Sequence, residues 1–386
     1  MIPLSLPNLD GREWDYVKEC LDTGWISTAG SFVDRFEAEF ANYLGLDGAV
    51  SLVNGTAALH IALQLLGVKR NDFVIMPNVT FVASANAISY VGAEPLLIDI
   101  DKYSWQMDIN ILEQFLESDC KIGASNVLIH KVSSRKISAL MIVHVQGNVC
   151  DMDRLLALCN RYNLPVLEDA AEALGAKYKG RYAGTLGNIG CFSFNGNKIM
   201  STGGGGMLVS RDLEYLSRAK HLSTTAKRDS LTYFHDEVGY NYRLVNVLAA
   251  IGVAQLEQLD GFIASKIRTA SYYRKHLKGV GDIEFQAISN DIISNEWLFT
   301  ITTNSMQELL EYLNANGVMS RPFWIPMNQL PMYKDCQYIN NNDVSATTHK
   351  KALSIPCSSE ISEIELDTVV ANIKFFFLNF RNSFKD

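Results

Sequence analysis

Three short stretches carry side chains whose type and spacing suit chemistry. In CFSFNGNKIMSTGGGGMLVS (191–210), Ser193 stands on a strand-like run, Lys198 follows five residues later, and Gly203 to Gly206 come next. A lysine amine attacks a carbonyl only when it can lose its proton, which burial and nearby positive charge favour. Such a lysine holds a carbonyl cofactor as a Schiff base, and Ser193 is placed to hydrogen-bond a phosphate beside it. The competing reading is a surface hairpin with a solvated lysine. The glycines are not a nucleoside-triphosphate loop, because that motif sets its lysine after the glycines and Lys198 precedes them. Their use is to let the backbone turn close to a ligand.

In LPVLEDAAEALGA, Asp169 stands near the carboxyl end of a strand-like run (164–170), where open α/β sheets bind ligands. A buried carboxylate needs a positive partner. A protonated pyridine nitrogen is one, and the carboxylate then keeps the ring cationic and electron-withdrawing. A helix cap is the plainer alternative. In VNGTAALHIAL, Asn54, Gly55, Thr56 and Ala57 lie between a strand and a helix. Small residues there bring N–H groups to an anion at a helix N-terminus, unless Asn54 or Thr56 only caps its own helix. Phe81, at a strand-to-helix junction, is suited to stacking on a flat ring or to core packing. His144, ending another strand, has structural, substrate-lining and acid–base readings. No pair of histidines and carboxylates has metal-ligand spacing, so no metal is expected, and no GxSxG elbow is present. A phosphate turn, an aromatic, a strand-end aspartate and then Ser-x4-Lys before glycines is the order expected of a pyridoxal-phosphate enzyme.

The elements that must position these residues alternate. Strand-like runs at 48–53, 72–77, 94–100, 137–147 and 164–170 are interleaved with helical patterns, including Ala58, Ile61, Ala62 and Leu65, and residues 151–162. That alternation predicts a mostly parallel sheet covered by helices on both faces. A strand at 206–210 leads into a polar region, a long helix spans 244–277, and short strands then mix with amphipathic helices. The pattern predicts a large α/β domain (1–254) and a smaller C-terminal α/β domain (255–386). Residues 119–136 read as a linker-like surface insertion.

With 386 residues, 48% hydrophobic and 20% charged, the chain has an ordinary globular balance. A net charge of −8 disfavours nonspecific nucleic-acid binding. No uninterrupted apolar run approaches the roughly 18 residues of a membrane span, and the start lacks a secretion-type basic and apolar pattern. Seven scattered cysteines without a CxxC pair suit reduced thiols in the cytoplasm.

Taken together, VNGTAALHIAL, TFVASANAI, LEDAAEALGA, FSFNGNKIMSTGGGGM and GYNYRLVNVLAAIGVAQLEQL make the chain resemble the DegT/DnrJ/StrS-type nucleotide-sugar aminotransferases. The likeness runs from IPLSLPNLDGREWDYVKECLDTGWIS to RPFWIPMNQLPMY. It implies a type I pyridoxal-phosphate transferase fold and a cytoplasmic homodimer with shared active sites. It further implies Lys198 as the Schiff-base lysine, Asp169 as partner of the pyridine nitrogen, and Glu172 near the cofactor's phenolic oxygen. Thr56, Ala57 and Ser193 would hold the phosphate, Phe81 would stack on the ring, and Asn241 would reach the phosphate from the neighbouring subunit. Arg243 would help hold the phosphates of the sugar nucleotide, and His144, from its strand-end position, is taken as a further candidate substrate contact. Relatives with histidine in place of the lysine are dehydratases; Lys198 is retained here, which favours transamination. The 119–136 insertion and the N-terminal PLSLPNLDGREW resemble the branch that aminates C4 of UDP-linked 4-keto-6-deoxy-N-acetylhexosamines, with glutamate as donor, for legionaminic-type surface sugars. The alternatives are a GDP-4-keto-6-deoxymannose (perosamine-type) aminotransferase and a non-catalytic regulatory member.

Overall fold

Apolar runs of four to seven residues form the central strands of this computed structural model, which describes residues 1–229 and 231–383. In chain order the strands are β1 (Ala49–Leu52), β2 (Phe73–Pro77), β3 (Glu94–Ile98), β4 (Cys120–Ile122), β5 (Leu128–His130), β6 (Ile137–Val143), β7 (Val166–Asp169), β8 (Lys177–Tyr178) and β9 (Arg181–Tyr182). They continue with β10 (Ile189–Ser193), β11 (Gly206–Val209), β12 (Glu284–Phe285), β13 (Ile292–Ile293), β14 (Phe299–Thr302), β15 (Arg321–Pro322), β16 (Tyr338–Ile339) and β17 (Ala352–Ile355). Eight of them make one sheet in the order β1-β11-β10-β7-β6-β2-β3-β16. Only β11 runs against the rest of this sheet; the pairings from β10 to β16 are all parallel. Parallel strands end on one edge, so the residues after β1, β2 and β7 and the end of β10 converge there.

Helices cover both faces, as the alternation requires. On one side α1 (Glu13–Thr23), α2 (Ser31–Leu44), α5 (Ile109–Asp119), α6 (Met152–Arg161) and the first half of α8 (Asn246–Leu277) share a core with the sheet. On the other lie α3 (Gly55–Leu65), α4 (Ala83–Tyr90) and α7 (Leu213–Ser223). Aspartates set several starts: Asp108, Asp151 and Asp212 each accept from backbone amides of the first turn of α5, α6 and α7. A second sheet, β12-β14-β17-β15, packs with α9 (Met306–Ala315) and α11 (Glu363–Ser383); α10 (Val344–His349) precedes β17.

Four expectations need correction. The strand expected over 137–147 stops at Val143, because Gln146 takes a left-handed turn (φ 63°). Residues 119–136 are no linker: β4 and β5 pair as an antiparallel ribbon, and the His130 ring packs against Phe73 and Phe115. The polar region after β11 contains α7, whose buried stripe is Leu216, Ala219 and Leu222. An 18-residue window of α8 is apolar enough to cross a membrane, yet α8 packs against α1, α2 and α11, so it serves as a core helix.

The expected boundary at 254/255 falls inside α8, which is continuous. Ala249 to Leu259 belong to the large core, and Ala270, Tyr273 and Leu277 to the small one. We propose that the two units divide along this helix, each lending the other a segment. Residue Ile2 bridges to Val318, and β16 completes the large sheet beside β3.

At Gly206 the chain packs backbone against backbone. A Cβ on Gly206 would lie 2.5 Å from the Asn54 carbonyl carbon and 2.6 Å from Gly55 N. None of the four glycines lines the cavity described below, and the close approach of Gly206 is to the Asn54–Gly55 turn rather than to a ligand. Gly206→Ala is expected to lower unfolding free energy by about 2–3 kcal/mol, because backbone must move. By contrast Gly261→Ala, exposed in the interior of α8 with open space around its Cβ position, should raise it by about 0.5–1 kcal/mol. Denaturant melts of both variants check the opposite signs.

Candidate active site

At the edge where the parallel strands end lies a cavity of about 390 Å³. The turn after β1 contributes Asn54, Gly55 and Thr56, and the loop after β2 contributes Thr80 and Phe81. Asp169 closes β7, Ser193 closes β10, and Trp297 and Trp324 close the cavity from the second sheet's side. The surface-hairpin reading of the lysine fails, since the Lys198 side chain is only 10% exposed and lines this cavity.

Desolvation governs the charges. Burial lowers the Lys198 pKa, against the opposing pull of Glu172 and Asp169. Glu172 Oε1 stands 3.8 Å from Lys198 Nζ, and Glu172 Oε2 accepts from Gln146 N at 2.9 Å. The left-handed turn at Gln146 is therefore what delivers an amide to this carboxylate. Burial nevertheless pushes Glu172 up to about 7. Burial likewise raises Asp169, whose Oδ2 accepts from Ser84 Oγ (2.7 Å) and Oδ1 from Ala171 N (3.1 Å). Asp169 thus has two neutral donors and no cation within hydrogen-bonding distance among the described residues.

The structure brings Lys198, Asp169, Glu172, Ser193, Thr56 and Phe81 to one cavity, with Phe81 54% exposed at its rim. Ala57 lies just behind: it is buried, and its N–H already donates to Asn54 Oδ1 at 2.7 Å. Asn54 is thus a true cap, while Gly55 and Thr56 still turn the N-terminus of α3 toward the cavity. His144 is not substrate-lining, because it has no exposed surface and its Nε2 is 2.8 Å from Glu168 Oε2. The Glu168 carboxylate is itself held by the amides of Gly184, Leu186 and Gly187. Asn241 and Arg243 lie elsewhere, in a second cavity of about 440 Å³ with Thr28, Thr224, Thr225 and Lys227. A surface trio, His221, Asp236 and Glu237, has the proximity of a metal site, but His221 pairs with Asp236 and Arg218 with Glu237.

Sequence reading missed Ser84, Trp297 and Trp324. Ser84 follows Phe81 by three residues, one turn along the same helix start, and that spacing was a usable signal. Nothing local ties Trp297 to Lys198 across about a hundred residues; the indole Nε1 donates to Asn197 O at 2.7 Å, and that contact exists only in the fold.

A sequence model of the DegT/DnrJ/EryC1/StrS aminotransferase family matches residues 7–374. The chain is 37% identical over 379 residues to a GDP-perosamine synthase of Escherichia coli O157:H7, covering 97% of this chain and 98% of that one. It is 31% identical to a UDP-4-amino-4,6-dideoxy-N-acetyl-beta-L-altrosamine transaminase of Campylobacter jejuni, with 94% of each chain covered. Among solved structures, S. venezuelae DesV in complex with a ketimine intermediate superposes with a TM-score of 0.85 at 28% identity, over 95% of this chain and 94% of that one.

The buried carboxylate makes a pH test. Because Glu172 is raised from an ordinary value near 4.5 to about 7, the folded chain holds this proton more tightly than the unfolded one. The resulting stability is complete below the unfolded value and is lost as pH rises through the folded one. Measured against Glu172→Gln, which keeps the neutral shape, the ligand-free protein should lose about 3 kcal/mol of unfolding free energy as pH rises across that window. A difference that does not vary with pH would put Glu172 in water.

Proposed function

This chain belongs to the DegT/DnrJ/EryC1/StrS aminotransferase family, and from that premise we propose that its cavity moves an amino group onto a nucleotide-linked 4-keto-6-deoxy sugar. The protein is a pyridoxal-phosphate-dependent transaminase of the nucleotide-sugar class. The observation that carries the site assignment is the buried Lys198 amine sharing one cavity with the buried Asp169 carboxylate.

The residues present fit the cofactor. Asp169 lacks the cation that a protonated ring nitrogen provides, the α3 N-terminus and Ser193 suit a phosphate, and Phe81 offers a face for the ring. Pyridoxal phosphate supplies a carbonyl that takes up amines and a ring that draws electrons from the carbon losing its proton. Lys198 Nζ would hold the group through that carbonyl carbon and, once displaced by the amino donor, which we take to be glutamate, would be the base placed to take the proton from the donor's α-carbon. Asp169 would hold the ring nitrogen in its protonated form, and Glu172, raised by burial to about 7, would stand on the side of the phenolic oxygen. Thr56 and Ser193 would hold the phosphate. Ala57 contributes its amide only if the Asn54 cap yields.

Asn241 and Arg243 line a cavity apart from Lys198 within their own chain, which supports a homodimer in which they serve the partner's site, on the cofactor phosphate and the sugar nucleotide respectively. We place the enzyme in the cytoplasm, where its reduced cysteines and nucleotide sugars belong; all seven cysteines are unpaired. For the sugar, the N-terminal segment and the 119–136 ribbon support a UDP-4-keto-6-deoxy-N-acetylhexosamine, as in legionaminic-type pathways. A GDP-4-keto-6-deoxymannose is the second reading, favoured by the name of the E. coli relative. A non-catalytic regulatory role is disfavoured by the intact Lys198–Asp169 pair.

Borohydride should fix the cofactor to the peptide containing Lys198, as read by mass spectrometry. Lys198→Ala should lose roughly 10²- to 10⁴-fold in turnover, and Asp169→Asn on the order of a hundredfold while still binding cofactor. Cofactor on another lysine ends the assignment. Incubating the enzyme and glutamate with UDP- and GDP-linked 4-keto-6-deoxy sugars should yield an amino sugar from the UDP-linked N-acetylhexosamine by the larger kcat/KM. A preference for the GDP-linked sugar transfers the assignment to the second reading.

A further inference from the structure

Lys198 Nζ lies 4.2 Å from the centre of the Trp297 ring. An ammonium over an indole face is attracted by the ring quadrupole, and the attraction grows when water is excluded. Trp297 is 2% exposed and its ring is held from several sides. Its Nε1 donates to Asn197 O (2.7 Å), its backbone N to Asn295 Oδ1 (3.0 Å), and Trp324 stacks beside it at 6.2 Å and 13°. Its carbonyl accepts from Lys266 Nζ at 2.9 Å. Lys266 is itself buried, with no carboxylate partner among the described residues, its other hydrogen bonds running to Cys357 O and Ser5 Oγ. Because Asn197 directly precedes Lys198, the indole and the amine hang from adjacent backbone groups. The aim of the ring is therefore set by the backbone that carries the lysine.

We propose that Trp297 is a positioning residue, its ring face being the resting place of the Lys198 ammonium whenever Lys198 is not bonded to cofactor. This rests on the assignment of Lys198 as the cofactor-binding lysine. A lysine that takes the proton from the donor's α-carbon carries it on Nζ, so the charged amine must be tolerated in a dry cavity. The charged groups facing it are Glu172 and Asp169, both on the chain leaving β7; the sides formed by α3, α4 and the second sheet contribute Thr56, Ser84, Phe81, Trp324 and Trp297, none of them charged. Glu172 loses much of its charge near neutral pH, and Asp169 is committed to the ring nitrogen. The indole attraction does not titrate, and it holds the ammonium when the carboxylates do not.

The test is trace acetylation of the full-length enzyme loaded with pyridoxamine phosphate, in which Lys198 is free, with the Lys198 peptide followed by mass spectrometry across pH. On the acidic limb the rate is proportional to the neutral amine, and on the alkaline plateau it reports access alone. In Trp297→Leu the limb, normalised to its own plateau, should rise roughly three- to tenfold over wild type. Protein made with 5-fluorotryptophan, which keeps ring volume but weakens the negative face, should shift the same way by a smaller factor, and it covers the case in which Trp297→Leu does not fold. If limb and plateau rise together, or the normalised profile is unchanged in both proteins, Trp297 is packing only and the proposal is overturned. Borohydride trapping on wild type separates the outcomes: cofactor on Lys198 with an unmoved profile sinks Trp297 alone, and cofactor elsewhere sinks the site assignment beneath it.

Discussion

The Asp169 carboxylate and the Lys198 amine share one small space out of water, and much of the surrounding fold serves that constraint. Burying either charge alone is costly. Here the cost is moderated locally: Ser84 and Ala171 donate to Asp169, Gln146 donates to Glu172, and Glu172 stands near Lys198. Each donor comes from a different chain segment. Ser84 needs the start of α4, Ala171 the turn after β7, and Gln146 the left-handed turn after β6. The carboxylate that remains short of a cation is the one a cationic ring best completes.

The parallel sheet is the device that gathers these segments. Its strands end together, so four loops remote in sequence reach one edge. The exception, β11, runs the other way between β1 and β10 and brings the glycine run against the Asn54–Gly55 turn. There the lack of side chains matters because two backbones pass within contact distance. The turn that presents the α3 N-terminus is braced from behind by that contact.

Beside Trp324, the second sheet contributes through residues 295–300. Asn295 Nδ2 donates to the carbonyls of Glu172 and Leu174, Thr300 Oγ1 donates to Gln146 Oε1, and Trp297 donates to Asn197. These bonds connect the small unit to the backbone of Glu172 and Asn197 and to the side chain of Gln146. A shift of this unit would be felt at Glu172, Gln146 and Lys198 at once, because the contacts are direct hydrogen bonds. The chain that closes the cavity therefore also orders it.

Much was legible in the residues themselves. Buried strands show as short apolar runs and helices as 3.6-residue periodicity, and strand-end Asp169 and Lys198 with its glycines stand in motifs that carry their chemistry locally. Where local backbone choice decided the outcome, the pattern misled: the φ of 63° at Gln146 follows the end of a strand the apolar pattern would continue. Of the readings open for His144, the buried contact with Glu168 fits the structural one. The ribbon at 120–130 pairs through backbone hydrogen bonds that its polar composition does not announce. Sequence alone determined the alternating α/β architecture and singled out Lys198 and Asp169, which the structure places in one cavity, because period and residue type are local properties. Only the tertiary structure decided which groups share the cavity with them, that Trp297 covers the lysine and that Asn241 and Arg243 line a separate cavity, because those facts depend on distances between segments remote in sequence.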